Sequence, residues 1–252
     1  MARALLIRGM VAGLAGGLAA SIFAFLVGEP AVGSAISFER QRLAAEGAAP
    51  YMQLVSRDVQ STLGLATGVI VYGIALGGLF ALVFALLYGR VREATPARTS
   101  AWLAAGAFVV VYLVPFLKYP ANPPAVGQPE TIGSRTALYL AMLLVSLAAA
   151  AYALWLYRRL DTRVGRDRAA LLSAGAYVLV VVVAGLLLPG VNEVPSGFPA
   201  TTLYNFRIAS IGIQAITWTT VGLLFGFLAE RALDPDRSAR TGAATAPTLP
   251  RR

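Results

Sequence analysis

Hydrophobic positions in this chain are gathered into long blocks, separated by segments that carry nearly all of the charged residues. Six blocks contain no charged residue, and they cover residues 9–27, 62–88, 100–117, 136–157, 169–188 and 208–229. A helix needs about 20 apolar residues to cross the hydrocarbon core of a bilayer. Because lipid cannot hydrogen-bond exposed backbone groups, such blocks must be helical. The pattern therefore predicts an all-α polytopic membrane helix bundle with six transmembrane helices.

The ends of the blocks carry further signals. Pro115 predicts a kink near the end of the third helix, and Pro189 predicts the end of the fifth. The first block exceeds the roughly 7–15 apolar residues of a signal-peptide core, and no clear cleavage site follows it, so we expect an uncleaved helix. Residues 232–252 are small, polar and proline-containing, which predicts a disordered cytoplasmic tail behind a transmembrane domain of residues 1–231.

The distribution of Lys and Arg predicts the orientation of the helices. Fifteen of the 21 basic residues lie at the N-terminus, in the second-to-third and fourth-to-fifth connections, and in the tail. The other six lie in three longer connections, which cover residues 28–61, 118–135 and 189–207 and which we call the three long connections. Both termini are therefore expected in the cytoplasm, with the long connections facing the periplasm. The segment AISFERQRLAAEG in the first of them is typical of a short interfacial helix, with Ile36, Leu43 and Ala44 on one face.

Composition supports a membrane protein and excludes several other classes. Charged residues make up 13% of the chain, against about 25% in soluble domains. The net charge of +9 does not indicate nucleic-acid binding, because the arginines flank apolar blocks and form no single patch. There is no cysteine and no histidine, so sulfur metal sites, histidine proton shuttles and the usual catalytic triad are all ruled out.

Known catalytic motifs are also missing from the sequence. No nucleotide-binding P-loop, metalloprotease helix or nucleophile elbow occurs, and no carboxylate lies within an apolar block. A proton-driven carrier normally needs a titratable group inside the bilayer. We therefore expect neither an enzyme nor a self-sufficient proton-coupled carrier, and we expect no cofactor.

Two kinds of helix face, glycine faces and polar stripes, are candidates for a functional role. Glycines four residues apart share a face in Gly9/Gly13/Gly17, Gly64/Gly68, Gly73/Gly77 and Gly222/Gly226. Such faces serve either a sliding or dimer interface or ordinary packing inside one bundle. Polar stripes run along Arg207/Ser210/Gln214/Trp218 and Arg135/Tyr139/Met142/Ser146. They line an outward-opening vestibule, or they make interhelical hydrogen bonds while the arginines snorkel to the interface.

The three long connections hold the candidate cation-binding oxygens. These are Glu29, Glu39, Asp58, Asn122, Asn192 and Glu193, of which Glu29 and Glu193 are the candidate metal ligands. Carboxylate and amide oxygens suit Mg²⁺, Ca²⁺ or Mn²⁺ and are tolerated by hydrated Co²⁺. Neighbouring prolines reduce the entropy lost when such ligands are fixed. The alternative is that the acids are loop charges paired with basic residues, namely Arg57, Lys118, Arg135 or Arg207.

The chain resembles the CbtA family, proposed cobalt transporter subunits of bacteria. The resemblance rests on LVGEPAVGSAISFE, VSRDVQSTLGLATGVIVYGIALGGLFALVFALLYGR, LVPFLKYPANPPAVG and PGVNEVPSGFPATTLYNFRIASIGIQAITW. It extends to about Arg231. It implies a multi-pass inner-membrane protein that takes up cobalt for cobalamin synthesis beside a small histidine-bearing membrane partner, CbtB.

Three hypotheses follow. The first is uptake of a divalent cation, transported Co²⁺, through a vestibule formed by the long connections, with Arg57, Arg135, Arg207 and Gln214 fixing or lining it. Lacking histidine, the chain must use oxygens alone, borrow imidazole from a partner or move another substrate. The second hypothesis is a non-transporting membrane scaffold or accessory subunit whose glycine faces bind partner helices. The third is an enzyme that handles lipids or quinones.

Overall fold

The computed structural model describes residues 2–47, 55–89 and 95–233. Its α-helices are α1 (Ala2–Phe23), α2 (Glu29–Ala45), α3 (Arg57–Val59), α4 (Leu65–Leu87), α5 (Pro96–Ala107), α6 (Val114–Lys118), α7 (Ile132–Val164), α8 (Arg166–Leu187) and α9 (Ala200–Leu233). Three π-helical segments (Ala24–Gly28, Gln60–Gly64 and Phe108–Leu113) join neighbouring helices, and a 3-10 turn (Pro129–Thr131) leads into α7. The described residues contain no β-strand.

Six continuous helical segments are long and apolar enough to cross a membrane. They are Ala2–Ala45, Arg57–Leu87, Pro96–Lys118, Pro129–Val164, Arg166–Leu187 and Ala200–Leu233. Each contains nearly all of one predicted block, so the six-helix, all-α prediction is confirmed. The predicted tail lies almost wholly in residues 234–252, outside the described residues, and α9 itself continues to Leu233.

The first helix is longer than the hydropathy pattern predicts. It runs for 44 residues, from Ala2 to Ala45. The segment predicted as a short interfacial helix is helical up to Ala45, but it continues the first helix through α2 and is not a short helix; its position at the membrane interface stays a prediction. Within α2 the hydroxyls of Ser34 and Ser37 donate to carbonyls four residues earlier, so these polar side chains find acceptors inside the helix itself.

Two of the π-helical segments precede a proline at a fixed spacing. The carbonyl four residues before Pro30 belongs to Leu26, and that before Pro115 belongs to Val111. Both carbonyls lie inside a π segment. A proline ring crowds this carbonyl and offers it no N–H. A wider turn at this point lets the helix pass the proline, so the expected disturbance at Pro115 takes the form of a π turn.

The chain divides into two compact units, and the first comprises Met1–Ile22, Asp58–Gly106 and Ala215–Arg252. Its described residues are held together by close glycine contacts between α1 and α4. A Cβ atom added to Gly13 would collide with the carbonyl oxygen of Gly73, and one added to Gly77 would lie 2.8 Å from the Cα of Gly13. These glycines therefore serve packing within the chain. By contrast, Gly68 has no heavy atom near its missing side chain.

The glycines of α9 have the same role against α5 in this unit. A Cβ added to Gly222 would lie 2.5 Å from the Cβ of Ala104, and one added to Gly226 would lie 3.0 Å from the Cα of Ala97. Beside them, the buried hydroxyl of Ser100 donates to the carbonyl of Gly222 at 2.6 Å. Small residues permit this approach, and the hydroxyl adds a bond between the two helices.

The second unit comprises Phe23–Arg57 and Ala107–Gln214. Within it, Ser146 of α7 stabilises the π segment that precedes Pro115. The N–H of Val114 is bonded to the carbonyl of Val109, and Pro115 has no N–H, so the carbonyl of Val110 has no backbone donor. The hydroxyl of Ser146 donates to this carbonyl at 2.7 Å, while the hydroxyl of Tyr177 on α8 lies 2.9 Å from Ser146 Oγ.

Candidate functional site

A cavity of about 520 Å³ lies in the second unit, where the second and third long connections meet α7 and α9. Its polar lining comes from Asn122 of the second connection, from Arg135 and Thr136 in the first turns of α7, and from Arg207 of α9. The proline-rich sequence keeps the second connection out of a helix between Tyr119 and Gln128, so its side chains and carbonyls reach these helix ends.

Aromatic side chains form much of the remaining wall of this cavity. Tyr112, Phe116, Tyr119 and Tyr139 all line it. The hydroxyl of Tyr119 donates to the carbonyl of Pro189 at 2.8 Å and so links the second and third connections. Burial raises the pKa of Tyr119 above its ordinary value, which already lies above physiological pH, so the phenol is a hydrogen-bond donor there.

Glu193 joins the third connection to the start of α7. Its carboxylate accepts hydrogen bonds from the backbone N–H of Gln128 at 2.8 Å and from the hydroxyl of Thr131 at 2.9 Å. The Nε atom of Arg135 lies 3.5 Å from the same oxygen, an ion pair without hydrogen-bond geometry. The bonds from Gln128 and Thr131, and then the charge of Arg135, lower the pKa of Glu193. The carboxylate therefore remains ionised and acts as a fixed link between the two connections.

Arg135 also packs over the backbone of the second connection. Its guanidinium donates to the carbonyl of Gln128 at 3.1 Å and covers Gly127. Gly127 has a φ of 109°, a conformation that favours glycine, and a Cβ there would collide with the guanidinium. The positive φ therefore favours glycine here, and a larger residue would also have to push the arginine side chain aside.

Arg207 differs from Arg135 in its partners. Its Nη2 donates to Oδ1 of Asn122 at 3.1 Å, and its Nε donates to the carbonyl of Ala121 at 3.4 Å. Both acceptors are neutral. The ion pairs among the described residues are Arg42–Glu46, Arg57–Glu29 and Arg135–Glu193, and Arg207 takes part in none of them. The side chain of Arg207 is half-buried, so this part of the cavity carries a positive charge that no carboxylate balances.

The remaining candidate residues lie outside this cavity lining. Glu29 is ion-paired with Arg57, and the described residues give Glu39, Asp58 and Asn192 no side-chain hydrogen bond or ion pair. Asp58 belongs to the first unit and is exposed, as is Asn192 in the second. Gln214 is half-buried on α9. Within the described residues, no three acidic side chains cluster as a metal site requires.

Two features of the site were not expected from the sequence. One is the aromatic wall, although the tyrosines and phenylalanine of VYLVPFLKYP were a visible signal at the end of the third helix. The other is the pair of donors to Glu193, Gln128 and Thr131, whose neighbouring positions in GQPETIG gave no indication of a partner so distant in sequence.

One of the comparisons with known proteins gives a match. A family model described as "Probable cobalt transporter subunit (CbtA)" matches residues 2–230. This span reaches all six of the long apolar helices, and it includes every residue named in the cavity above. No curated protein and no solved structure matches the chain.

Proposed function

Because the chain belongs to the CbtA family of probable cobalt transporter subunits, we propose that it is the membrane subunit through which bacteria take up Co²⁺ for cobalamin synthesis. The single observation that carries this proposal is the extent of the family match, which leaves only the first residue and the C-terminal end outside. The protein is a multi-pass membrane protein, and a transporter subunit is a non-enzymatic role. In the proposal it lies in the inner membrane with both termini in the cytoplasm.

The first contacts of the cation are assigned to oxygens that carry no fixed partner. Glu39, Asp58 and Asn192 meet this condition among the described residues. Glu29 and Glu193 remain candidate metal ligands, but a cation there must displace an arginine, and at Glu193 two hydrogen bonds as well. The proposal therefore gives these two acids mainly a role in holding the long connections in place.

A partner subunit completes the proposed transporter. Imidazole is a better ligand for Co²⁺ than carboxylate, and this chain has no histidine. The family description as a subunit supports a partner in the complex. A small histidine-bearing membrane protein of the CbtB type would supply the missing ligand.

Cobalt accumulation in cells tests this proposal. Cells that make the chain with its histidine-bearing partner should accumulate radioactive cobalt above cells that make neither. The double variant Glu39→Gln with Asp58→Asn should lower uptake by about tenfold or more, as the loss of metal-supporting groups does elsewhere. Glu46→Gln is the matched control, because Glu46 is an exposed acid already paired with Arg42 in its own helix. Equal uptake by the unchanged chain, the double variant and Glu46→Gln would show that Glu39 and Asp58 do not contact the cation. If cells making the unchanged chain with its partner show no uptake above background, the proposed transport function is wrong.

The scaffold alternative is favoured by one observation. One face of α8 packs against α7, but Leu171, Leu179 and Leu186 are exposed, so much of the apolar surface of α8 is available to lipid or to another helix. The glycine faces are less available, since Gly9, Gly13, Gly73 and Gly77 already pack within the chain. Stable copurification of another membrane protein without cobalt uptake would identify a scaffold, and replacing Leu179 on α8 by Trp should then disrupt the complex.

A further inference from the structure

We infer that the cavity beside Arg207 binds a small organic oxyanion, a carboxylate or phosphate group attached to an apolar or aromatic body. This site goes beyond the proposed cobalt uptake and does not depend on it. The cavity lining contains two guanidinium groups and no carboxylate. A bare divalent cation would therefore be repelled from the cavity, whereas an anion would be attracted to it.

The charges of the two arginines are balanced to different degrees. Arg135 lies 3.5 Å from the carboxylate of Glu193, which compensates much of its charge. Arg207 is half-buried, and its acceptors within the described part of the chain are an amide oxygen and a backbone carbonyl. A guanidinium group has five N–H donors, and these two bonds use two of them. The three that remain are enough for the two-pronged hydrogen bonding that guanidinium groups make with carboxylate or phosphate.

The rest of the lining suits the body of such a ligand. The volume of about 520 Å³ lies within the range of roughly 300–1,000 Å³ that is usual for small-molecule sites. The rings of Tyr112, Phe116, Tyr119 and Tyr139 provide an apolar wall, as ligand pockets usually do. Lys118 adds a third positive charge nearby, with its Nζ atom 5.7 Å from the ring centre of Tyr119.

Asn122 offers a substitution that changes the charge without changing the shape of the site. Its Oδ1 already accepts from Arg207, so Asn122→Asp would place a carboxylate on the same donor at about the same distance. The arginine would then be neutralised from within the protein. Because the side chain keeps its size and its bond, we expect this variant to fold, whereas Arg207→Gln also removes the guanidinium bonds to Asn122 and Ala121.

The test uses the purified full chain in phosphatidylcholine nanodiscs, with benzoate as the probe and calorimetry as the measurement. Benzoate should bind, benzyl alcohol should bind far more weakly, and salt should reduce the affinity for benzoate. Asn122→Asp and Arg207→Gln should each weaken benzoate binding by about tenfold or more, the usual order for losing a charged hydrogen-bonded pair. Arg8→Gln is the control and should bind as the unchanged protein does, because Arg8 is bonded only within its own helix, to the carbonyl of Ala4.

A second arm separates the two sources of the oxyanion. If the natural ligand is a soluble carboxylate, adding phosphatidylglycerol to the nanodiscs should leave benzoate binding unchanged. If the natural ligand is a lipid headgroup, phosphatidylglycerol should compete with benzoate. Either result supports the site. Binding of benzoate and benzyl alcohol with equal affinity, or equal benzoate affinity in Asn122→Asp and the unchanged protein, overturns it. Because these measurements are made without cobalt, failure of cobalt uptake leaves the result intact, and failure here leaves the uptake proposal intact.

Discussion

The hydrogen bond from Ser146 to Val110 allows a quantitative test of how the third helix passes Pro115. Replacing Ser146 by Ala leaves the Val110 carbonyl without a donor, because its possible backbone donors are either used or absent. An unsatisfied buried carbonyl costs about 1–3 kcal/mol in proteins. Hydrogen bonds between membrane helices have measured values of up to about 1.7 kcal/mol. We therefore expect Ser146→Ala to lower the free energy of unfolding by about 1–2 kcal/mol.

Pro115→Ala supplies the N–H that the native helix lacks. In that variant the carbonyl of Val110 can bond to residue 115 or, in an ordinary α-helix, to Val114. Val110 then no longer needs the hydroxyl of Ser146, so adding Ser146→Ala should cost about 1 kcal/mol less than in the native background, while the loss of the bond with Tyr177 is common to both backgrounds. The two substitutions form a double-mutant cycle with a predicted coupling of about 1 kcal/mol.

Equilibrium unfolding in mixed micelles, followed by the circular dichroism of the helices, measures all four proteins. Ser134→Ala is a suitable control because its hydroxyl bonds within its own chain segment, to the carbonyl of Thr131. It should change stability little in either background. If Ser146→Ala costs the same with proline or alanine at position 115, the hydroxyl does not compensate for the missing N–H, and the account of this turn is wrong.

Three further predictions concern glycines and one acid. Gly77→Ala should lower the free energy of unfolding by about 1–3 kcal/mol, because the new Cβ collides with the backbone of α1. Gly68→Ala in the same helix should leave the free energy of unfolding unchanged or raise it by up to about 1 kcal/mol. Equal melting temperatures of the two variants would contradict this prediction. Gly127→Ala should lower the free energy of unfolding by about 1–3 kcal/mol, because alanine is strained at a left-handed φ and its Cβ would contact the Arg135 guanidinium. Gly190→Ala is the control and should change the melting temperature little. The lowered pKa of Glu193 means that its stabilising effect is complete above the ordinary glutamate pKa of about 4.3 and is lost as pH falls through the lower folded-state value. Glu193→Gln should therefore reduce the acid sensitivity of unfolding, and an unchanged pH profile would count against the link.

The apolar blocks identified all six long helices because the thickness of the bilayer imposes a minimum length on each of them. The same constraint ends where the lipid ends, which is why hydropathy did not locate the end of the first helix. Beyond Gly28 the helix continues through polar sequence, and hydropathy does not distinguish such a sequence from a loop.

The candidate site was predictable in kind but not in detail. Pairing of loop acids with Arg57 and Arg135 was foreseen as an alternative, yet which acid pairs with which arginine follows from helix packing. Glu29 and Arg57 are 28 residues apart, and Arg135 and Glu193 are farther apart still. The lack of a carboxylate beside Arg207 among the described residues could not be read from the sequence either, because Glu193 lies in the same long connection but is bonded to other groups. The orientation of the helices and the metal-binding roles of Glu29 and Glu193 remain predictions.

The π segment at Phe108–Leu113 has a consequence for any helical wheel drawn along Pro96–Lys118. An α-helix advances about 100° per residue, and a π turn holds one residue more than an α turn. Positions after the segment are therefore out of phase, by about that angle, with a wheel counted from Pro96. Such a wheel assigns Phe116 to the wrong side. Substitution schemes for this helix should restart their count at Val114.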